Sequence, residues 1–430
     1  MKISELKEGM ENIEIYASVQ DTKAIGKIIF LKLRDDSGLV QLTCIEGSDI
    51  PFDGIKSIKK EFYVRVKGDV RASKNEGSIE IIPKHIIVVS ESSGDLPFKI
   101  NNEFEKVSQD KRLDWRSLDL RSLRLQSIFK IQSAIVEGIT QELFSKGFRI
   151  SFTPCLLNTA SESGSEVFPV IYFDKEAFLR QDPQLHRQLT IAGGAKKIFD
   201  LGPAWRAEKS HTKYHLCEHR VCAVECADIE DERDIMRVEE SLIVSAINKV
   251  NQTCKDELER LNTSICVPKT PFPELTFPEI FSILKESGKE TFDSEDLDKE
   301  AEQILAKYVK DKYDSDFYFV NRFAFSIKPF YVMRIDDNPK RARSVDLYYK
   351  DLELSSGGQR EHRYEYLMRN IEEKGVKISE VEWFVKFFKY GVAPHGGFAL
   401  GIERLTLALT KSENIRDCVL FPRDPERLNP

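Results

Sequence analysis

Cysteine is scarce in this sequence. Only eight occur in 430 residues, which excludes the disulfide framework of a small secreted scaffold. Long apolar runs are also missing, since no stretch approaches the roughly twenty apolar residues of a membrane helix. The opening stretch MKISELKEGMENIEI has neither the apolar core of a signal peptide nor the bias of a transit peptide. We therefore expect a cytoplasmic protein with no membrane segment.

A strong excess of positive charge is lacking too. The formal net charge of −7 argues against a histone-like or nonspecific DNA-binding protein. It is compatible with a protein that reads one nucleic acid through local patches. The content of 41% apolar and 31% charged residues is ordinary for a globular protein. The length allows two or three domains.

Several chemical signatures are absent. The sequence has no G-x-x-x-x-G-K-[ST] loop and no G-x-G-x-x-G after a strand, so Walker-type and dinucleotide folds find no support. No local signature indicates a serine triad or a catalytic cysteine. A zinc site is an alternative for the cysteines and histidines of one short run, Cys217, Cys222, Cys226, His215 and His219. Their spacing matches no standard zinc knuckle, which favours buried thiols in a core strand.

The first ninety residues carry the pattern of a small β-barrel. Apolar runs of strand length are separated by turn signals such as Asp36-Ser37-Gly38. Five short strands in about eighty residues are typical of the oligonucleotide-binding barrel, which we assign to residues 1–92. Such barrels bind single-stranded bases through an exposed aromatic and polar side chains. The candidates are Phe30, Gln41 and Glu80, although periodicity alone leaves open that Phe30 is a core residue.

A polar and then basic stretch, 93–125, reads as a hinge, and 126–430 as a second domain of mixed α and β structure. Apolar residues at helical spacing predict a helix over Ser127–Gly147, followed by a strand, Phe148–Thr153, that meets Pro154. Further helices are expected over Asp231–Leu261 and Ile280–Lys312. The last unit, HGGFALGIERLTLALT, predicts a strand that runs into a helix.

The stretch Phe199–Ile229 is the centre of the functional hypothesis. It reads as strand, loop and strand, with Arg206 and Glu208 two residues apart and therefore on one face. The guanidinium can hold a phosphate as a planar fork, and the carboxylate can accept hydrogen bonds from an amine. Taken alone, such a pair is more often a surface ion pair.

Two later segments add charge of both signs. Asp346 and Glu353 flank a β-rich stretch and offer the hard oxygen ligands that Mg²⁺ prefers, although solvated surface carboxylates are the commoner case. Gly401 lets the backbone approach a ligand, and Arg404 lies at the start of a helix. A helix N-terminus with an arginine is a plausible anion or nucleotide site.

Together these segments resemble the class II aminoacyl-tRNA synthetases, in the subgroup that charges aspartate, asparagine or lysine. Three ordered motifs carry the resemblance: Phe148–Pro154, Trp205–Glu208 with its loop, and Gly401–Arg404. Within the subgroup the sequence is most similar to aspartyl-tRNA synthetases of the archaeal and eukaryotic type. The supporting stretches are RLDWRSLDLR, SESGSEVF, QDPQLHRQ, PFYVM, GGQR and FPRDPERLNP.

The resemblance implies an α+β fold, an N-terminal OB-fold barrel plus a catalytic domain with an antiparallel sheet flanked by helices. It implies ATP- and Mg²⁺-dependent activation of L-aspartate to the adenylate, then transfer to tRNA(Asp), by a homodimer with Pro154 at its interface. Arg206, Glu208 and Arg404 would be catalytic. The ATP site would comprise Arg206, Glu208, His215, His219, Glu353, Gly401 and Arg404. Aspartate would be held by Glu162, Gln184, Arg187, Ser356 and Arg360. Mg²⁺ would be held by Asp346 and Glu353, and the anticodon by Phe30, Gln41 and Glu80.

The sequence departs from the family pattern at five positions. Arg187 replaces a lysine and Asp182 a serine in the amino-acid pocket, while Tyr214 replaces an arginine of the motif-two loop. His219 stands where an aromatic residue usually faces adenine. Ala223 replaces an aspartate that helps to hold the α-ammonium group. The loss is compensated by Asp182 or by Glu225, or else the pocket has drifted.

Two alternatives stay open beside the aspartate ligase. One is an enzyme with asparagine specificity, or a paralogue that forms an adenylate without charging tRNA. The other is a catalytically weak tRNA-binding paralogue, for which Ala223 is the motivation. The Arg187 and Arg360 pair favours an anionic side chain over asparagine. The ATP and Mg²⁺ residues would have no use in a pure binding protein.

Overall fold

The computed structural model describes residues 1–47, 52–73, 77–93, 95–100, 107–158, 167–210, 212–289 and 296–430. The chain forms two compact units, Met1–Gln126 and Ser127–Pro430. None of the helices in these ranges is long and apolar enough to cross a membrane. The narrower division into 1–92, 93–125 and 126–430 stays a prediction.

The first unit contains a closed five-stranded barrel in the order β1-β2-β3-β5-β4. Its strands are β1 (Ile13–Ile25), β2 (Ile28–Arg34), β3 (Leu39–Ile45), β4 (Tyr63–Ala72) and β5 (Ile79–Ser90). Ile15, Ala17 and Val19 alternate along β1 and are fully buried, since side chains two apart in a strand share a face. The predicted OB-type barrel is thus confirmed, with β1 and β4 extending beyond the apolar runs Ile13–Val19 and Phe62–Val66.

Short helices complete this unit. They are α1 (Phe52–Lys56), α2 (Gln109–Asp114) and α3 (Arg116–Asp119). Ser108 caps α2 by accepting a hydrogen bond from the Lys111 amide. A longer helix, α4 (Leu123–Ser145), begins at the end of the unit. The helical spacing predicted it well: Ile128, Ile131, Ile135, Ile139 and Leu143 are all buried.

The second unit is built on an eight-stranded sheet in the order β12-β13-β16-β17-β18-β11-β10-β6. The strands are β6 (Arg149–Ile150), β10 (Lys197–Trp205), β11 (Glu218–Ala227), β12 (Glu274–Thr276), β13 (Phe317–Asn321), β16 (Ser344–Tyr349), β17 (Leu352–Gln359) and β18 (His395–Gly401). The predicted antiparallel arrangement holds for the interior pairs, and the pairs at the two edges are parallel. Smaller sheets contain β7 (Leu156–Leu157), β8 (Pro169–Tyr172) and β9 (Lys175–Leu179), and β14 (Arg334–Ile335) with β15 (Asn338–Ala342).

Helices flank this sheet. They are α5 (Gln184–Ala192), α6 (Glu232–Thr253), α7 (Lys255–Arg260), α8 (Glu279–Glu286), α9 (Lys299–Tyr313), α10 (Tyr364–Glu373), α11 (Ile378–Val385) and α12 (Ile402–Thr410). The main core joins α4, α6 and α12 to the sheet through residues such as Ile135, Ile243, Phe398 and Leu405. This apolar layer holds β11, β17 and β18 in place, and these strands line the cavity described next.

Two expectations for this unit are corrected. The single helix over Asp231–Leu261 is two helices, because Cys254 leaves the helical region between α6 and α7. The strand over Phe148–Thr153 shrinks to β6, because only Arg149 and Ile150 pair with β10. Cys222 and Cys226 lie buried in β11 as predicted, and burial raises the pKa of each thiol to about 12.

Candidate functional site

An open cavity of about 980 Å³ lies in the second unit. Its wall includes residues of β11, β17 and β18 and of the loops beside them. The predicted residues Arg206, Glu208, His215, His219, Glu353, Gly401 and Arg404 all line it, as do Gln184, Ser356 and Arg360. Residues as distant in sequence as Gln184 and Arg404 therefore line one cavity, because neighbouring strands of the sheet bring their segments together.

Arg206 and Glu208 lie just beyond the end of β10, where the predicted strand gives way to a loop. The Arg206 amide donates to the Cys217 carbonyl oxygen at 2.9 Å, which fixes the backbone beside β11. Arg206 Nη1 lies 3.6 Å from Glu208 Oε1, and the side chains are 50% and 34% exposed. Such a solvated ion pair contributes little to stability, so both groups are available to a ligand.

The pKa of each of the two histidines of the cavity is lowered. Burial, with the positive charges of Arg206 and Arg404, lowers the pKa of His219 to about 3. Burial also lowers the pKa of His215, whose Nδ1 pairs with the Thr212 hydroxyl. A neutral imidazole at position 219 is suited to stacking against a flat ring and adds no charge.

Arg404 and the two predicted metal ligands form a charged group on β16, β17 and α12. Arg404 Nη1 donates to the Glu353 carbonyl oxygen at 2.9 Å and lies 3.7 Å from Glu353 Oε1. A β-bulge between Leu347 and Tyr348 shifts the register of the hairpin that carries Asp346 and Glu353. Burial, and then the charge of Asp346, raise the pKa of Glu353.

Asp346 fits the role of a cation ligand. Its Oδ2 is 2.9 Å from Lys328 Nζ, while its buried Oδ1 has no hydrogen-bond partner among the described residues. A buried carboxylate oxygen without a partner is costly, and a bound cation would satisfy it. Within the described ranges no group of three or more His, Cys, Asp or Glu side chains gathers. Two carboxylates that need further ligands from substrate are the pattern of Mg²⁺.

The N-terminus of α12 also contributes residues to the cavity. Gly401 caps the helix, and Glu403 accepts the Arg220 amide with both carboxylate oxygens, at 3.1 and 2.9 Å. Burial raises the pKa of Glu403 to about 7. Neither Glu403 nor Lys328 was a sequence candidate, although Glu403 lies beside Arg404 in the motif that drew attention to this helix.

Gln184 and Arg360 line another part of the cavity. Arg360 donates from Nε to Glu225 Oε1 at 3.0 Å, and from Nη2 to Gln184 Oε1 at 2.9 Å and the Gly397 carbonyl at 3.0 Å. These bonds use Nε and Nη2, and Nη1 takes part in none of them. Gln184 in turn donates to Glu225 Oε2 at 2.9 Å. The guanidinium is thereby held at a fixed angle in the wall.

Arg187 differs from the expectation. Its side chain is fully buried and lies one turn along α5 from Gln184. Its guanidinium group is already paired with a carboxylate. Nη1 and Nη2 donate to the two oxygens of Asp182 at 2.6 and 2.8 Å, and Nη2 also donates to Gln184. Asp182, 28% exposed, is the residue of this pair that lines the cavity.

The remaining predicted pocket residues have different outcomes. Ser356 is exposed in the cavity wall and pairs with Asp346 across the hairpin. Ala223 is buried with Ala204 and Val221 against Ala399, so it offers no polar group. Glu162 lies outside the residues that the structure describes.

Glycines let two strands of this wall approach closely. A Cβ atom at Gly397 would overlap the carbonyl oxygen of Val224, and one at Gly357 would lie 2.5 Å from the Gly397 carbonyl oxygen. Both contacts are with backbone, which cannot move aside cheaply. The spacing of β11, β17 and β18 behind the cavity therefore depends on glycine.

The three barrel candidates share one face. In register, Phe30 pairs with Thr43 and Gln41 with Glu80, while the residues between them point into the barrel core. Gln41 Nε2 donates to Glu80 Oε2 at 3.1 Å, and the Thr43 hydroxyl donates to the same oxygen. Phe30 is half-buried. Thr43 belongs to this group and was missed, because its role depends on a strand far away in sequence.

Pro154 is exposed, and apolar side chains around it are exposed too. Phe152 is 87% exposed. Other exposed apolar residues of the same segment and of β8 and its turn are Ile150, Leu156, Ile171 and Phe173. Several large exposed apolar side chains in one region are typical of an interaction site.

Comparison with protein families gives two matches. Residues 108–425 match the family described as tRNA synthetases class II (D, K and N). Residues 13–89 match the OB-fold nucleic acid binding domain, tRNA anti-codon. The first match spans most of the chain and contains the whole cavity, and the second spans the barrel.

Individual relatives agree with the family matches. The chain is 40% identical to aspartate–tRNA(Asp) ligase of Pyrococcus furiosus, over 98% of this chain and 96% of that protein. It is 39% identical to aspartate–tRNA(Asp/Asn) ligase of Methanopyrus kandleri, over 98% and 96%. Among solved structures it resembles asparaginyl-tRNA synthetase from Pyrococcus horikoshii complexed with asparaginyl-adenylate, with a TM-score of 0.91, 30% identity and coverage of 100% and 99%. Aspartyl tRNA synthetase from Entamoeba histolytica gives a TM-score of 0.89, 31% identity and coverage of 98% and 90%.

Proposed function

The chain belongs to the class II tRNA synthetases (D, K and N), and from this premise we propose that it is an aspartate–tRNA ligase. It would activate L-aspartate with ATP and then transfer the aspartyl group to tRNA(Asp). The observation that carries the proposal is the arrangement of charge along one cavity. Arg206, Glu353, Arg360 and Arg404 all line it, and Asp346 belongs to the hairpin that carries Glu353.

ATP would bind in the cavity beside Arg206 and Arg404. The α-phosphate would meet the fork of Arg206, which is exposed and only loosely paired with Glu208. The adenine would lie between the neutral ring of His219 and the guanidinium of Arg404. Because the carboxylate of the amino acid is itself the nucleophile, no general base is needed. These residues act by positioning and by stabilising developing charge.

Asp346 and Glu353 would hold Mg²⁺, which would offset the negative charge of the ATP phosphates. The partnerless Oδ1 of Asp346 and the raised pKa of Glu353 both support a cation between these groups. Lys328 and Arg404 already balance the two carboxylates, so the phosphates of ATP would supply the further negative charge that Mg²⁺ needs.

Aspartate specificity is assigned to Arg360. Its guanidinium is held by Glu225 and Gln184, and it lines the cavity. A charged donor fixed in this way favours a carboxylate over the neutral amide of asparagine. The arrangement supports aspartate even though Arg187, the other arginine of the expected clamp, is occupied by Asp182.

The barrel is proposed to bind the anticodon through Phe30, Gln41 and Glu80, with Thr43 holding Glu80 in place. The exposed apolar surface around Pro154 is proposed to form a homodimer interface. Both roles follow the family match and use surfaces that are otherwise unexplained.

Amino-acid-dependent ATP–pyrophosphate exchange with Mg²⁺ tests the main proposal. L-Aspartate, L-asparagine and L-lysine are compared, and aspartate alone should support exchange. Exchange with asparagine would transfer the assignment to the asparagine enzymes, a possibility raised by the structural likeness to an asparaginyl-tRNA synthetase. Silence with all three, from folded protein that binds tRNA, would favour the tRNA-binding paralogue.

A further inference from the structure

Asp182 has no role in the activity as derived so far, yet it is charged and lines the amino-acid end of the cavity. We propose that the Asp182 carboxylate receives the α-ammonium group of the amino acid, and that Arg187 positions it for this purpose. The inference deepens the proposed function and rests on it.

The geometry of the pair supports this role. Arg187 donates one hydrogen bond to each oxygen of Asp182. The carboxylate is therefore held at two points and cannot rotate freely. Each carboxylate oxygen can accept more than one hydrogen bond. The part of Asp182 that is exposed faces the cavity, whereas Arg187 is fully buried. The pair thus presents an oriented anion, with its counter-charge behind it.

Two other carboxylates near the cavity are already engaged by protein groups. Glu225 is fully buried and is held by Arg360 and Gln184. Glu403 is bound to the Arg220 amide by both oxygens. Ala223 sits in a small apolar cluster and has no polar side chain. Of the two compensating residues considered from the sequence, the structure therefore favours Asp182 over Glu225.

Charge balance explains why an aspartate and an arginine occur together here. A buried arginine without a carboxylate would be strongly unfavourable, and Asp182 provides that carboxylate. Arg187 and Arg360 both donate to the same oxygen of Gln184. This shared oxygen links Asp182, which would bind the ammonium group, to Arg360, which would bind the side-chain carboxylate of the amino acid. An amino acid with a negative side chain carries the two charges that this arrangement complements.

The test compares L-aspartate with succinate, which has the same two carboxylates but no ammonium group. The KM for L-aspartate is measured in the exchange reaction, and succinate is measured as a competitive inhibitor. In Asp182→Asn the KM for L-aspartate should rise about tenfold to a hundredfold, the loss expected for a charged hydrogen bond. The Ki for succinate should rise much less or fall. The KM for ATP should stay unchanged.

The ratio of the two constants isolates the ammonium group. Any effect that acts through Arg187 on carboxylate binding changes L-aspartate and succinate alike and cancels in the ratio. Glu380, an exposed carboxylate of the same cavity, provides the matched control, because Glu380→Gln should leave the ratio unchanged. Asp182→Ser serves as the second variant if Asp182→Asn melts well below the wild type.

Three results would overturn the inference. One is a ratio equal to that of the wild type, which would leave Asp182 as a structural partner of Arg187. Another is a lower KM for L-aspartate in the variant, which would identify Asp182 as a competitor for the arginine fork. The third is a wild-type protein without aspartate-dependent exchange, which would overturn the proposed function as well and is seen before any variant is made.

Discussion

The ammonium group of Lys328 lies 2.9 Å from Oδ2 of Asp346, and the same nitrogen lies 4.0 Å from the centre of the Phe323 ring. Lys328 is 13% and Asp346 6% exposed, so water screens this ion pair only weakly. The lysine therefore satisfies one oxygen of a carboxylate whose other oxygen is partnerless among the described residues. In the proposed site, Lys328 and Mg²⁺ would therefore share Asp346 as a ligand.

Removing Lys328 should consequently strengthen Mg²⁺ binding. In Lys328→Met the Mg²⁺ concentration for half-maximal exchange should fall roughly tenfold, about 1.4 kcal/mol, because the competing positive charge is gone. The measurement is a Mg²⁺ titration of the exchange rate at saturating ATP and aspartate. Lys374 is the control: it also lines the cavity, but its ammonium group donates to the Phe325 and Ser326 carbonyls. A higher Mg²⁺ requirement in Lys328→Met would contradict the shared-ligand model.

Glu403 should make stability depend on pH. Burial is the main cause that raises its pKa from 4.5 to about 7. The amide and the positive charge of Arg220 lower the pKa, and the negative charge of Glu218 raises it. Between these values the folded state holds a proton that the unfolded state has released. This contribution to stability is therefore present below about pH 4.5 and lost as the pH rises through about 7.

The variant Glu403→Gln lacks this loss. The difference in free energy of unfolding between the variant and the wild type should shift in favour of the variant by on the order of 3 kcal/mol between about pH 4.5 and pH 7.5. This shift does not depend on how the two proteins compare in stability at low pH. Urea unfolding without ligands at several pH values measures the difference. A difference that stays constant across this range would show that Glu403 ionises normally in the folded protein.

The barrel face predicts the effect of Phe30. Stacking of a base on an aromatic ring contributes about 1–3 kcal/mol, so Phe30→Ala should weaken tRNA binding roughly tenfold to a hundredfold. Exchange without tRNA should be unchanged, because activation of the amino acid takes place in the second unit. Filter binding with tRNA transcripts measures the loss. Tyr16, an exposed aromatic of β1, is the control, and an equal loss in Tyr16→Ala would count against a specific anticodon face.

The dimer proposal predicts the effect of Phe152. Its side chain is 87% exposed in the chain, and burying such a ring contributes about 1.5–3 kcal/mol. Phe152→Glu should therefore raise the dimer dissociation constant by at least about tenfold, as measured by sedimentation velocity over a concentration series. Tyr390, which is 85% exposed, is the matched control for Tyr390→Glu. A wild type that sediments as a monomer would remove the proposed interface.

Much of the fold follows from local patterns. The alternation of Ile15, Ala17 and Val19 predicts a half-buried strand, and the spacing of Ile128, Ile131 and Ile135 predicts α4, because burial follows the period of the backbone. The ends of elements are less well predicted. β6 is short because only two residues reach β10, which is a property of the sheet and not of the segment.

The site divides in a similar way. Arg206, Glu353 and Arg404 are recognisable from motifs, and the structure brings them to one cavity. Lys328, the partner of the predicted residue Asp346, is not recognisable, because the two residues belong to different elements of the chain. The pairing of Arg187 with Asp182 also escapes sequence reasoning, since it depends on which of two nearby carboxylates, Asp182 or Glu225, lies closer to the arginine.

The close contact of β11, β17 and β18 at Gly357 and Gly397 has an evolutionary consequence. Backbone atoms enforce both glycines, so neither position can carry a larger residue without displacing a neighbouring strand. Asp182 and Arg187, by contrast, are side chains that compensate one another's charge. A change of amino-acid specificity is therefore more accessible through paired replacements at 182 and 187 than through either glycine.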